Sequence, residues 1–458
     1  MPIKPKMSHL QTLLTTAAHP LPPIHHPTFA SHFDSLLSSS RITLLGDGSH
    51  GTSQFYSARA EITKRLITHH GVTTIAIEAD WPDAETIDRY IRQRPAPKPS
   101  SSSSASQPPF QRFPTWMWRN RETFDLIEWL RTYNASRPAA QQVGFYGLDL
   151  YSLGTSIRAV TDYLDRIDPA AGKEARRRYG CLQPWVEDPT AYGLASLRGM
   201  ADCEKGVVDM LRDLLQRRLE YTELDPHDGE EYHSSQQNAY LVRDAERYYK
   251  AMYYSSAESW TLRDTHMVDT LRRVLRRKGP AGKAVVWAHN SHCGDARYTG
   301  MGRGGREVNI GQLCREQFGD GDGDGEVVLV GCGTHAGTVA AAREWDEKME
   351  VMKVRPSRED SWEWLAHRTG VESFVWDLRG MKGNGELREL MERENRLERF
   401  IGVIYRPETE RMSHYSEVDL LDQFDAYVWF DRTDAVQPLE TGQPKTAMGT
   451  EETYPFGL

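Results

Sequence analysis

The residues with chemical potential in this chain sit where apolar runs end. Leu45 leads into Asp47 and His50, Ile77 into Glu78, Tyr146 into Asp149, and Trp287 into His289 and His292. Imidazole titrates near pH 6.5, so a histidine oriented by a carboxylate can take a proton from water. Either Glu78 or Asp47 could be that carboxylate for His50. A lone histidine at such a position reads as a hydrogen-bonded core residue, whereas three histidines and two or three acids ending four separate runs point to acid/base chemistry. The condition is that the fold brings them to one place.

Strand-length apolar runs at 42–45, 74–77, 143–147, 284–288, 327–330, 400–405 and 427–430 alternate with longer segments of helical period. Between the first two, Phe55, Ala58, Ile62 and Leu66 share one helical face, which makes a βαβ unit. Its right-handed crossover predicts parallel strands, and nearly continuous apolar strands predict a sheet covered by helices on both faces. The expected class is therefore α/β with a parallel-rich sheet, in which the strand carboxyl ends line one crevice. Residues 95–109, rich in proline and serine, read as a disordered surface loop. Residues 152–278 show helical patterns at 205–219 and 236–254 and no strand, so they are expected to form an inserted helical cap over the strand-end cleft. A plain covering layer of helices fits that pattern as well. The core would then consist of 1–151 and 279–458.

The 458 residues carry a formal net charge of −9 with no long basic run, which favours a small-molecule partner over nucleic acid. No apolar run reaches the length of a membrane span, and Pro20, Pro22 and Pro23 interrupt any signal-peptide core, so a cytoplasmic location is expected. Cys181, Cys203, Cys293, Cys314 and Cys332 make an odd count without a C-x-x-C pair. Reduced structural thiols are expected from that pattern, rather than a disulfide framework or a zinc knuckle. Nothing in the sequence specifies an oligomeric state.

Several motifs compete for the same residues. Gly46-Asp-Gly-Ser-His-Gly51 satisfies G-x-G-x-x-G after a strand, with Glu78 where a ribose-binding acid would sit. His50 inside the turn argues against a dinucleotide. The alternative is that the glycines bend the chain so that Asp47 and His50 project over the sheet edge. Gly300–Gly305, a second match, follows no strand and reads as a flexible loop. The stretch 320–325 imitates a calcium loop but has Gly331 at the twelfth position, so it reads as a surface loop. His289 and His292, with Glu78 or Asp47, could hold a metal or haem, although metal-free chemistry without a cofactor is preferred. Ser49 and Ser291 lack a G-x-S-x-G elbow, which favours attack by an activated water over a serine nucleophile.

Taken in order, these motifs give a wider resemblance. They include Leu45-Gly-Asp-Gly-Ser-His-Gly51, Ile77-Glu-Ala-Asp-Trp81, Phe113-Pro-Thr-Trp-Met-Trp-Arg-Asn120, Gly147-Leu-Asp-Leu-Tyr-Ser152, Arg263-Asp264 and Trp287-Ala-His-Asn-Ser-His292. Over roughly residues 40–440 the chain resembles the erythromycin esterase family. The resemblance implies metal-independent hydrolysis of a macrolide lactone by histidine-activated water. His50 would be the general base and Glu78 its acidic partner, with Arg59, His289 and His292 as further polar members and Arg263 reaching in from the helical part. Two positions depart from the family pattern: Asp47 stands where glutamate is usual, and Gln54 stands near a usual acid. A different substrate or geometry follows from those changes. The expectation is thus a hydrolase of a lactone or other ester in a bulky natural product. Catalysis would rest on His50, Glu78, Asp47, His289 and Arg263; substrate would meet Arg59, His292, Trp116, Trp118, Asp149 and Tyr151. The alternatives are non-hydrolytic acid/base chemistry, such as dehydration, epoxide opening or cyclisation, and metal or haem binding.

Overall fold

The computed structural model describes residues 8–95, 109–225, 229–319 and 326–440. The expected loop, from 96 to 108, and the 320–325 stretch lie outside the described residues. The described strands are β1 His19–Pro20, β2 Ile42–Asp47, β3 Thr74–Asp80, β4 Gly144–Asp149, β5 Ala284–His289, β6 Val327–Ala341, β7 Glu350–Val354, β8 Ser373–Asp377, β9 Arg396–Arg399, β10 Tyr415–Val418 and β11 Ala426–Thr433. Nine of them form one sheet in the order β1-β8-β11-β6-β2-β5-β3-β4, with β7 added beside β6. The six strands from β11 to β4 run parallel, while β1, β7 and β8 are antiparallel additions.

Alternate residues along the central strands feed two different cores. Leu45, Ile75, Ile77, Val285 and Trp287 pack with Phe55, Ile62 and Leu66 of the Ser53–His70 helix. Leu44, Ala76, Val286 and Ala288 pack with Trp260, Met267 and Leu271 of the Ser256–Lys278 helix. Each fully buried aliphatic side chain contributes about 1.5–3 kcal/mol, so both faces of the sheet are covered at a large gain. The described residues between 153 and 278 form a run of helices, the longest being Glu230–Ala251 and Ser256–Lys278, around a third core that includes Ile157, Leu211, Val242 and Ala245 and is joined by Trp81 and Tyr146. Among the described residues no helix is long and apolar enough to cross a membrane.

Three expectations are corrected. The 400–405 run is not a regular strand: it makes isolated pairings, Ile401 with Ser49 and Ile404 with Ala342, across the carboxyl end of the sheet. Gly300–Gly305 is a short helix capped by the Thr299 side chain, because that cap satisfies the Gly302 N–H. Cys181 and Cys203 form a disulfide, while Cys293, Cys314 and Cys332 are buried and free. An odd count hid that pair, since one bond needs only two of five cysteines.

Candidate active site

The strand order places the strand ends named by the sequence side by side. Leu45 lies opposite Trp287, Trp287 opposite Ile77, and Ile77 opposite Gly147, so β2, β5, β3 and β4 end at one level. Two residues further on, Asp47 pairs in register with His289. Between Ile77 and Asp80 the pairing of β3 with β4 shifts, and such an irregularity re-aims side chains at an edge, here Glu78.

His50 sits in the turn after β2. That turn is fixed by the irregular 400–405 run: His50 N–H donates to Ile401 O and Ile401 N–H donates to Gly48 O. The glycines around it do not act as bends, since none of Gly46, Gly48 and Gly51 has positive φ. They allow close approach instead. A Cβ on Gly51 would lie 1.8 Å from Ala340 O, and one on Gly48 would lie 2.7 Å from Cys332 O. Packed in this way the turn is not an open phosphate cradle.

His50 is 1% exposed and lies between two carboxylates. Its Nδ1 is 3.3 Å from Asp47 Oδ1, and its Nε2 is 4.0 Å from Glu78 Oε2. Asp47 is held in turn by Arg59, whose Nη2 lies 2.7 Å from Oδ2 and whose guanidinium packs over the rings of Tyr56 and Trp287. Burial alone would raise the Asp47 pKa; Arg59 and His50 outweigh it and hold the group below the usual carboxylate range.

Glu78 meets more partners. Oε1 lies 2.7 Å from Arg263 Nη2 and 3.3 Å from His292 Nε2, and Oε2 accepts the His289 backbone N–H at 2.9 Å. Its burial is again outweighed, here by His292, His50 and Arg263, and its pKa falls well below the usual value. Arg263 also donates to both oxygens of Asp149, at 3.0 and 2.7 Å. His289 accepts the Ser291 N–H at Nδ1, and its Nε2 has no hydrogen-bond partner among the described residues. Burial, and then the neighbouring His50 ring, lower its pKa to about 3, so it is neutral at ordinary pH.

This is a buried cluster of Asp47, Glu78 and Asp149 against Arg59 and Arg263, with three histidines among them. Such a cluster adds little to stability compared with apolar packing, which makes it the candidate site at the end of the sheet. Beside it lies a cavity of about 60 Å³, where one water needs about 10–15 Å³ on the same scale. Among the expected residues, His50, Glu78, Asp149, Tyr151, Trp118 and Arg263 line it. Asp47, Arg59, His289, His292 and Trp116 do not; they stand behind the lining residues. Trp116 packs edge-on against Phe113, which does reach the cavity. Gln54 is elsewhere, fastened to Asp434 by two hydrogen bonds.

Sequence reasoning missed Asp80, Asp83, Arg112 and Trp345 in the lining. Arg112 pairs with Asp80 at 3.2 Å and lies over the Tyr151 ring. Burial, and then Asp80, push the Asp83 carboxyl up to about 6. Asp80 and Arg112 stand within or beside the quoted motifs and could have been found there; Trp345 carries no such signal. Asp244 and His266 form a 2.8 Å contact that ties the Glu230–Ala251 helix to the helix bearing Arg263. Among the described residues, no three His, Cys, Asp or Glu side chains are grouped to hold a metal ion.

A mostly parallel sheet with a buried cluster of histidine, acid and arginine at its carboxyl edge defines the class as an α/β protein with its ionisable residues gathered at the strand ends. Residues 67–433 match the erythromycin esterase family model, and the chain belongs to the erythromycin esterase family. The match begins after Asp47, His50 and Arg59 and includes Glu78, Asp149, Arg263, His289 and His292. Erythromycin esterase type II of Escherichia coli is 20% identical over an alignment of 276 residues that covers 56% of this chain and 61% of that protein's length. Among solved structures, a succinoglycan biosynthesis protein is similar with a TM-score of 0.73 at 20% identity, covering 93% of this chain and 97% of that one. A Bacillus cereus protein gives 0.75 at 18%, covering 94% and 98%. A mutant of the erythromycin esterase EreC in its open conformation gives 0.59 at 15%, covering 94% and 99%. These structural likenesses establish the shared fold.

Proposed function

We propose that the protein is an esterase-like hydrolase in which His50 activates a water to cleave a lactone or other ester of a bulky natural product. The observation that carries this reading is the position of His50, with Asp47 at Nδ1, Glu78 beyond Nε2, and the cavity alongside. The Asp47 carboxylate, 3.3 Å from Nδ1, favours a proton on that nitrogen by its charge, which leaves the Nε2 lone pair as the base. A separation of 4.0 Å from Glu78 leaves room for one bridging water. That water attacks the ester carbonyl carbon as its proton passes to Nε2. The C–O bond to the leaving oxygen then breaks, His50 returns the proton to that oxygen, and acid and alcohol result. Arg263 and Arg112 supply positive charge where the oxyanion develops. In this reading the helices of 152–278 cap the site, since Arg263 reaches it from one of them. The family membership and the name of the Escherichia coli relative support an ester as substrate. The small cavity suits the reacting ester and its water, with the bulk of the substrate lying over the mouth.

The test is turnover of a panel of lactones and esters by wild type and His50→Ala. A general base contributes about 10²–10⁴-fold, so a loss of that size is expected; equal rates would overturn the reading.

A further inference from the structure

The central sheet forks at the end of β2. Pairing of β2 with β6 stops at Leu45 and Val330, whereas β2 stays with β5 as far as Asp47 and His289, and β6 stays with β11 as far as Gly337 and Thr433. Cys332, two residues beyond the last pair with β2, is buried, so its N–H and C=O still need partners. The side chain of Asn290, the first residue after β5, supplies both. Cys332 N–H donates to Asn290 Oδ1 at 3.2 Å, and Asn290 Nδ2 donates to Cys332 O at 2.9 Å. The second proton of Nδ2 goes to Glu398 Oε1 at 2.8 Å, and the other oxygen of Glu398 accepts Gln423 Nε2 at 2.7 Å. One carboxamide thus stands in for a strand. We propose that Asn290 is a positioning residue, a wedge that holds the ends of β2 and β6 apart so that the turn after β2 carries His50 to Glu78. The inference rests on the reading of His50 as the base.

Three observations carry the wedge. The amide has a single workable orientation, because Oδ1 receives an N–H while Nδ2 faces two oxygens. Gly46, directly before Asp47, is shaped around it: a Cβ there would lie 2.3 Å from Asn290 Oδ1, so a residue without a side chain is what lets the amide pass between the strands. The fork, once open, is filled by the 400–405 run. On one side Ile401 exchanges hydrogen bonds with His50 and Gly48; on the other, Val403 O accepts Ala342 N–H and Tyr405 N–H donates to Ala342 O, just beyond β6. Closing the fork would unseat this run and with it the bond that fixes the His50 backbone. Asn290 is fully buried and does not line the cavity, so it acts through the turn and not on substrate. It also follows His289 directly, and His289 pairs in register with Asp47, so one side chain anchors the two strand ends that surround His50.

The test compares crystal structures of wild type and Asn290→Ala. With the wedge removed, Cys332 is expected to pair with the backbone of the β2 turn, and His50 Nε2 to shift by about 1 Å or more relative to Glu78, a misplacement that costs about 100-fold in rate. An unmoved His50 would overturn the inference. If Asn290→Ala does not fold, Asn290→Ser keeps a polar group in the buried space but is too short to span the fork, and an unmoved His50 there would overturn the inference equally. On an ester that wild type turns over, Asn290→Ala is expected to lose about 100-fold in kcat per folded molecule at constant KM. A loss carried by KM, or accounted for by unfolded protein, would count as a structural role and against the proposal. Gly46→Ala, which drives a methyl into the amide, is expected to lower kcat alone but to add no further loss in the Asn290→Ala background, where that space is free; additive losses would count against the shared contact. Because the crystal comparison needs no substrate, a displaced His50 in an Asn290→Ala variant of an enzyme that cleaves no ester supports the wedge and overturns the proposed function alone.

Discussion

Arg263→Met probes the arrangement of the site most directly. The guanidinium lies 2.7 Å from both Glu78 and Asp149, and all three side chains are at most 5% exposed. Removing one partner of a buried ion pair costs about 3–5 kcal/mol, because the other charge is left in a medium of low dielectric. Here two carboxylates lose a cation at once, though Glu78 keeps His292, so the expected loss lies within that range. Asp149→Asn leaves Arg263 with Glu78 and keeps an oxygen for the Leu150 N–H, so it should cost about 1–3 kcal/mol. In the double variant the orphaned Asp149 charge is absent, and the combined cost should fall short of the sum by about 1–3 kcal/mol. Urea unfolding near pH 7 measures all three. A loss under about 1 kcal/mol for Arg263→Met, or strict additivity, would refute the claim that this arginine neutralises two buried acids.

Two further outcomes follow from the same charges and covalent links. The His292 pKa is raised above its unfolded value of about 6.5 to about 9, so its contribution of about 3 kcal/mol is fully present below pH 6.5 and lost as pH rises through 9. Urea midpoints compared at about pH 6 and pH 10 should therefore fall, and His292→Gln should flatten that slope; a wild-type midpoint that does not fall contradicts the assignment. The Cys181–Cys203 bond spans 22 residues of chain, so Cys181→Ser with Cys203→Ser should cost about 3 kcal/mol in the chain-entropy account. Thermal unfolding with and without reductant reads the same quantity, and an unchanged midpoint would mean that the bond does not form.

Much of the fold is written in the apolar runs, because the six parallel strands are buried on both faces and need little else. The long strand β6 was legible only to Val330, since Gly331, Gly333 and Gly337 then break any β-like pattern. Their reason is tertiary: a Cβ on Gly333 would lie 2.2 Å from Tyr427 Oη, and one on Gly337 would lie 1.9 Å from Thr433 O. The 400–405 run reads as a strand because Phe400, Ile401, Val403 and Ile404 are buried; their partners are side chains and single backbone pairs at the sheet's end, which no local pattern encodes. For the site, residue types at strand ends were enough to name His50, Glu78, Asp149, His289 and His292. Their division of labour was not. Whether Asp47 or Glu78 orients His50 depends on which ring nitrogen each faces, and the answer is one on each side. Arg59 lies on the apolar face of its helix, where periodicity predicts an aliphatic residue, and its charge is accepted there because Asp47, Tyr56 and Trp287 surround it.

The strand order also sets a timetable. β5 lies between β2 and β3, yet it leaves the ribosome roughly 200 residues after β3, about 10–40 s later at 5–20 residues per second. Until then β2 and β3 each present an unpaired edge toward the other, the kind of surface that captures a foreign strand. The intervening helices can pack on their own core during that interval, but the central slot cannot close. A nascent chain that stalls or is cut before His289 would therefore hold His50 and Glu78 on opposite banks of an open sheet, exposed to aggregation.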